Sequence, residues 1–79
     1  MNIASRYNGI EIALTRRFTS HRTIKNYFAN NFNWRRFVKG LVARQVSVTS
    51  AKYVADITKQ AIQKDRFYPY DNKVVIFFN

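Results

Sequence analysis

The spacing of the apolar residues changes twice along this 79-residue chain, and that change limits the fold classes open to it. On both sides of Asn8-Gly9 the apolar residues alternate with period two, which is typical of strands. From Ser20 to about residue 66 they recur at helical spacing, and a continuous apolar run, Val74–Phe78, follows near the C-terminus. The pattern predicts an α+β fold in which an N-terminal β-hairpin and a C-terminal strand form a small sheet, packed against two or three helices.

The N-terminal hairpin is predicted from the Asn8-Gly9 dipeptide, which accepts the positive φ angles of a type I′ turn. Residues 3–7 and 10–14 would then pair across a two-residue loop. The alternative is a helix over residues 3–18, because apolar residues in this segment also fit a helical stripe. A glycine in the middle of that helix would cost about 1 kcal/mol, so the hairpin is favoured.

Three helices are predicted, over about residues 20–30, 34–45 and 50–66. The apolar stripes of the first two are rotated by roughly 80° relative to each other, so one straight helix cannot bury both. A single bent helix is the alternative. Asn33 is the predicted N-cap of the second helix, because its side chain can accept from a backbone N–H of the first turn.

The C-terminal part is predicted to leave helical structure at Pro69, which lacks a backbone N–H. Thr49 or Ser50 is the predicted N-cap of the third helix. Residues 67–72 are predicted as a loop and residues 73–78 as the last strand. Because this strand is apolar at successive positions, both of its faces are predicted to be covered.

Length and composition predict a single domain, residues 1–79, with no catalytic site, no metal site and no cofactor. The chain has no Cys, which excludes disulfides and thiolate zinc sites and leads us to expect a cytoplasmic location. We find no signal-peptide pattern, and no apolar run reaches the roughly 20 residues of a membrane span. The four acidic residues are spread out and His21 is the only imidazole, so neither an enzyme nor a small-molecule substrate is expected.

The charge balance points to a polyanionic partner. The chain has 14 Lys+Arg against 4 Asp+Glu, a formal net charge of +10, and Glu11 is the only acid before Asp56. Such an uneven charge distribution attracts polyanions, and the many arginines suit phosphate or carboxylate groups. The residues predicted to bind a nucleic acid or an acidic partner are Arg16, Arg17, Arg22, Arg35, Arg36, Lys39, Arg44, Lys52, Lys59 and Gln63.

Within this set the second helix is predicted to contact phosphates, because Arg35, Arg36 and Lys39 are concentrated there. The third helix is predicted to read bases, as the later helix of a helix-turn-helix unit does, although no glycine stands in the preceding turn. Tyr68 and Tyr70 are the candidates for stacking on unpaired bases.

The leading hypothesis is therefore a small nucleic-acid-binding protein with a regulatory or accessory role, with duplex DNA favoured over RNA. The alternative is a basic protein-interaction factor, of a kind found in phages and mobile elements, that docks on an acidic surface of a larger host complex and modulates it. A membrane surface is not expected, because a folded domain needs the apolar side of its second helix for its own core. A homodimer is compatible with the sequence.

Overall fold

The computed structural model describes residues 9–14 and 20–78. The helices and strands are, in chain order, β1 (Gly9–Ala13), α1 (His21–Asn30), α2 (Trp34–Ala43), α3 (Val48–Gln63), β2 (Phe67–Tyr70) and β3 (Lys73–Phe77). The strands form one antiparallel sheet in the order β1-β3-β2. The predicted α+β fold is confirmed, since strands from the two ends of the chain meet in a small sheet next to three helices.

Strand β1 distinguishes between the hairpin and the helix predicted for the N-terminal region, over the described residues 9–14. Residues 9–13 are a strand, so a helix through them is wrong. Gly9 is the first residue of β1 and lies opposite Phe77. Asn8 and residues 3–7 lie outside the described residues, so the turn and its first strand stay predictions.

All three helices begin at polar caps, and α2 and α3 end just before a left-handed residue. Ser20, Asn33 and Ser47 each accept from the backbone N–H three residues later, at 3.0–3.2 Å, which confirms Asn33 as a cap. Helix α3 starts before the predicted position, so Thr49 and Ser50 lie inside its first turn. Helices α2 and α3 end earlier than predicted, because Gln45 and Asp65 have φ angles of 72° and 59°.

The predicted loop over residues 67–72 is wrong, because its first four residues form strand β2. Pro69 is tolerated there because, among the described strands, β2 lies at the sheet edge, where one missing N–H leaves few ladder bonds unmade. Asp71, with a φ of 56°, then turns the chain with Asn72 into β3. Residues 67–77 are thus a hairpin.

The core lies between the helices and one face of the sheet. Val74 and Ile76 of β3 are fully buried, whereas Val75 is half-buried and Phe77 is 41% exposed. The prediction that both faces of this strand are covered is therefore wrong. The other buried residues of the main cluster are Ile12, Ile24, Phe28, Ala61, Ile62 and Phe67. A second cluster of Leu41, Ala51 and Val54 joins α2 to α3.

Aromatic packing fixes the turn between α1 and α2. The indole Nε1 of Trp34 donates to the carbonyl oxygen of Phe28 at 2.8 Å. The Trp34 ring packs edge-on against Phe32 and Phe37, with ring centroids 4.6 and 5.4 Å away. Two separate helices are therefore confirmed. None of the helices in the described segments has the length and apolar character to cross a membrane.

Candidate nucleic-acid interface

The basic side chains of α2 project from two different sides of the helix. Successive residues of an α-helix are 100° apart, so residues spaced by four share a side while neighbours do not. Arg35 and Lys39 line a shallow groove together with Lys52 of α3. Arg36 and Arg44 line a different groove, between α2 and β1. The structure thus divides a set that the sequence presents as one run.

One side of α3 continues the surface of Arg35 and Lys39. Lys52, Lys59 and Gln63 are spaced by seven and four residues, so they project from the same side of this helix. The Nζ atom of Lys59 lies 5.1 Å from the centroid of the Trp34 ring, within the range of a cation–π contact. Lys59, Gln63 and Trp34 line one groove with residues of α1.

Helix α1 extends this surface at its far end. Arg22 lines a groove with Gln63, and this groove shares Gln63 and Ala29 with the groove beside Trp34. Lys25 lies in the same groove and forms an ion pair with Asp65, with Nζ and Oδ1 3.3 Å apart. The two grooves beside α1 therefore adjoin, and the groove of Lys52 lies about two turns away along the same side of α3. Together the three grooves make up one basic surface.

We call this surface the helical face. Its members are Arg22, Lys25, Arg35, Lys39, Lys52, Lys59 and Gln63. All are exposed except Lys25, which is half-buried. Asp65 is engaged with Lys25. Asp56 lies on this same side of α3, between Lys52 and Lys59, and accepts a hydrogen bond from Gln60 at 3.1 Å. Five bases of the helical face remain without an ion pair to any carboxylate of the described residues.

The connection between α2 and α3 is a tight four-residue turn. Gln45 takes the left-handed conformation that the missing turn glycine would otherwise supply. The backbone N–H of Val46 donates to the carbonyl of Leu41 at 3.2 Å, and Leu41 packs with Ala51 at the crossing of the two helices. Helix-turn-helix units also join two helices by three or four residues, and they contact DNA through the start of the second helix. In α3 that start carries Thr49 and, one turn later, Lys52.

Several predicted site residues do not belong to the helical face. Arg16 and Arg17 lie outside the described residues. Tyr68 and Tyr70 are exposed on β2, on the outer side of the sheet and away from the helices. The rings of Tyr68 and Phe77 stack there, with centroids 5.4 Å apart. Phe77 was missed because the apolar C-terminal run gave no sign that one of its faces is open.

The outer side of the sheet also holds an ion pair between Lys73 and Glu11, with Nζ and Oε1 2.9 Å apart. The hydrogen bond to the Glu11 carboxylate, and the negative charge of that group, raise the pKa of Lys73 above its ordinary value. This pair engages Glu11, the one acid of β1, on the side of the sheet that faces away from the helices.

The described residues contain no group of three His, Cys, Asp or Glu that would hold a metal ion. No protein-family model, curated protein or solved structure matches this chain. Its function is therefore to be inferred from the geometry and charge of its own surfaces.

Proposed function

We propose that this protein is a small, non-enzymatic DNA-binding protein of the cytoplasm that holds duplex DNA against its helical face, in a regulatory or accessory role. The observation that supports this proposal is the arrangement of three basic grooves along one side of α3. Basic side chains from three helices, far apart in sequence, form one surface, and Lys25 alone among them is ion-paired to a carboxylate of the described residues.

The side chains of the helical face suit phosphate groups. Arg22 and Arg35 are exposed guanidinium groups, which bind a phosphate through two parallel hydrogen bonds. Lys39, Lys52 and Lys59 add point charges between them. Each contact releases counterions condensed on the DNA, so the affinity is expected to depend strongly on salt.

Helix α3 is the element that we expect to enter the major groove. Its exposed side carries Lys52 and Gln63, and glutamine pairs with adenine through two hydrogen bonds. The major groove of B-form DNA is about 12 Å wide and admits an α-helix. The major groove of A-form RNA is too narrow for side-chain reading, so a helical reading surface favours duplex DNA.

The test is binding to a labelled duplex of mixed sequence, followed by fluorescence anisotropy at several salt concentrations. The variant Arg35→Glu/Lys52→Glu reverses two charges of the helical face and is expected to lose most binding at 0.1 M salt. The control Lys64→Glu/Arg66→Glu makes the same change of net charge on residues that line a separate groove beside Phe77. It is expected to keep most of the affinity.

Two results would overturn the proposal. One is equal weakening by the two double variants, which would mean that net charge alone governs binding. The other is absence of binding to any duplex at low salt. Binding to an acidic protein in that second case would support the alternative function, a protein-interaction factor.

A further inference from the structure

The groove between α2 and β1 is a second positively charged surface, distinct from the helical face. It has a volume of about 430 Å³. Its floor is apolar and includes Ile10, Phe37 and Leu41, and its α2 rim carries Arg36 and Arg44. The groove thus combines an apolar floor with two positive charges at its rim.

The two arginines of the groove have no ion pair within the part of the chain that the structure describes. Glu11 of β1 also lines the groove, and its carboxylate is ion-paired with Lys73, with Nζ and Oε1 2.9 Å apart. Arg36 and Arg44 are both exposed, so an acidic group from outside can reach them. The groove is therefore complementary in charge to an acidic partner.

Gly40 is the second observation that points to a partner. It lies between Arg36 and Arg44, one helical turn from each, and it lines the groove. A Cβ atom at Gly40 would meet nothing within 4 Å, so packing within the described chain does not require a glycine there. Glycine weakens a helix relative to alanine, and its advantage is that another backbone can approach closely.

The spacing of the arginines defines the shape of this partner. Eight helical residues span about 12 Å at 1.5 Å per residue. An extended peptide rises about 3.3 Å per residue, so four residues cover nearly the same distance. In an extended peptide the side chains at positions one, three and five point to the same side. Acidic residues at positions one and five would then reach Arg36 and Arg44, while an apolar residue at position three would lie over Gly40.

From these observations we propose that the groove between α2 and β1 binds an extended acidic segment of a partner protein, with the pattern acidic–any–apolar–any–acidic. The carboxylates bind Arg36 and Arg44, and the apolar side chain packs on Phe37 and Leu41 over the bare backbone of Gly40. This proposal does not depend on DNA binding, since it uses a different groove of α2.

The probe is a synthetic labelled peptide with glutamates at positions one and five, leucine at position three and serines between them. Its binding is followed by anisotropy and by backbone amide NMR shifts of the full chain. We expect the largest shifts at Phe37, Gly40 and Leu41. Replacing the leucine by serine, or placing the two glutamates side by side, keeps the peptide charge and is expected to abolish most binding.

The variant Gly40→Ala separates binding from folding, because the two effects have opposite signs. The melting temperature is expected to rise, since alanine favours the helix and its Cβ meets no other atom. The peptide affinity is expected to fall, because that Cβ occupies the place of approach. A variant that binds the peptide as well as the unchanged protein, or that melts at a lower temperature, would overturn the proposal.

Charge variants distinguish this groove from the helical face. Arg36→Gln/Arg44→Gln is expected to lower the affinity for the peptide by about tenfold for each arginine removed. The same variant is expected to keep most of its affinity for DNA. Arg35→Gln/Lys39→Gln is expected to lower the affinity for DNA and to keep most of the affinity for the peptide. Equal loss of peptide binding in both variants would show non-specific attraction to a basic protein and would overturn the proposal. Failure of DNA binding alone would overturn only the proposed function.

Discussion

Neutralising two lysines that face each other across the α2–α3 groove is the most direct measurement of the helical face. Lys39 and Lys52 line the same groove, and neither is ion-paired to any carboxylate of the described residues. Their replacement by glutamine keeps the side chains polar and introduces no repulsion. Because both residues are exposed, the melting temperature is expected to change little.

The expected size of the effect follows from the number of bases on the helical face. Five of its bases are free of ion pairs with the described carboxylates, and each phosphate contact contributes about −0.9 to the slope of log K against log salt. The unchanged protein should therefore show a slope near −4.5, and Lys39→Gln/Lys52→Gln a slope near −2.7. If the two proteins bind equally at 1 M salt, this difference in slope makes the affinity of the variant about 60-fold lower at 0.1 M salt.

The assay is anisotropy of a labelled duplex at five or more salt concentrations, with the fluorescence of Trp34, the only tryptophan, as a check on folding. Lys64→Gln/Arg66→Gln removes the same charge from residues that line a groove on the other side of α3 and should leave the slope unchanged. A slope that falls equally in both variants, or in neither, would refute the assignment of phosphate contacts to the helical face.

Three further predictions test the fold and the charges of the sheet. Ile62→Ala should lower the free energy of unfolding by about 2–5 kcal/mol in urea denaturation, because the side chain is fully buried; a loss below about 1 kcal/mol would contradict its place in the core. Gly9→Val should cost about 1 kcal/mol in the same assay, because its Cβ would lie 3.1 Å from the carbonyl oxygen of Ile76, and an unchanged midpoint would argue against the β1–β3 register. Glu11→Gln should return the raised pKa of Lys73 towards 10.5 in an NMR titration, and a pKa unaffected by the substitution would contradict the ion pair. The stabilisation from this ion pair is present below pH 10.5 and is lost as the pH rises through the raised pKa.

The α+β class could be predicted from the sequence because the apolar spacing changes where the structure changes. The hairpin of β2 and β3 could not, because Pro69 counts against a strand unless the strand is known to lie at a sheet edge. Edge position depends on which strands pair, and the sequence around Pro69 does not contain that information. The cap of α3 was misplaced for a similar reason, since Ser47, Thr49 and Ser50 are all good caps by residue type alone.

The candidate site was predictable as a set of residues and not as a surface. Arg35 and Arg36 are neighbours in sequence, yet they line different grooves. Arg22 and Gln63 are 41 positions apart, yet they line the same one, because α1 packs on α3. Composition therefore indicates the chemistry of the partner, whereas the packing of helices decides which charges act together.

The two proposed binding surfaces share helix α2, so their ligands should influence each other through charge. A helix with its side chains is about 10 Å across, which is close to the Debye length at 0.1 M salt. Two unit charges at that distance interact by about 0.4 kcal/mol in water. An acidic segment bound at Arg36 and Arg44 would thus lower the affinity of the helical face for DNA. Bound DNA would lower the affinity for the segment by the same factor. Because this coupling is electrostatic, it should fade as salt is raised, whereas direct competition for one surface would persist.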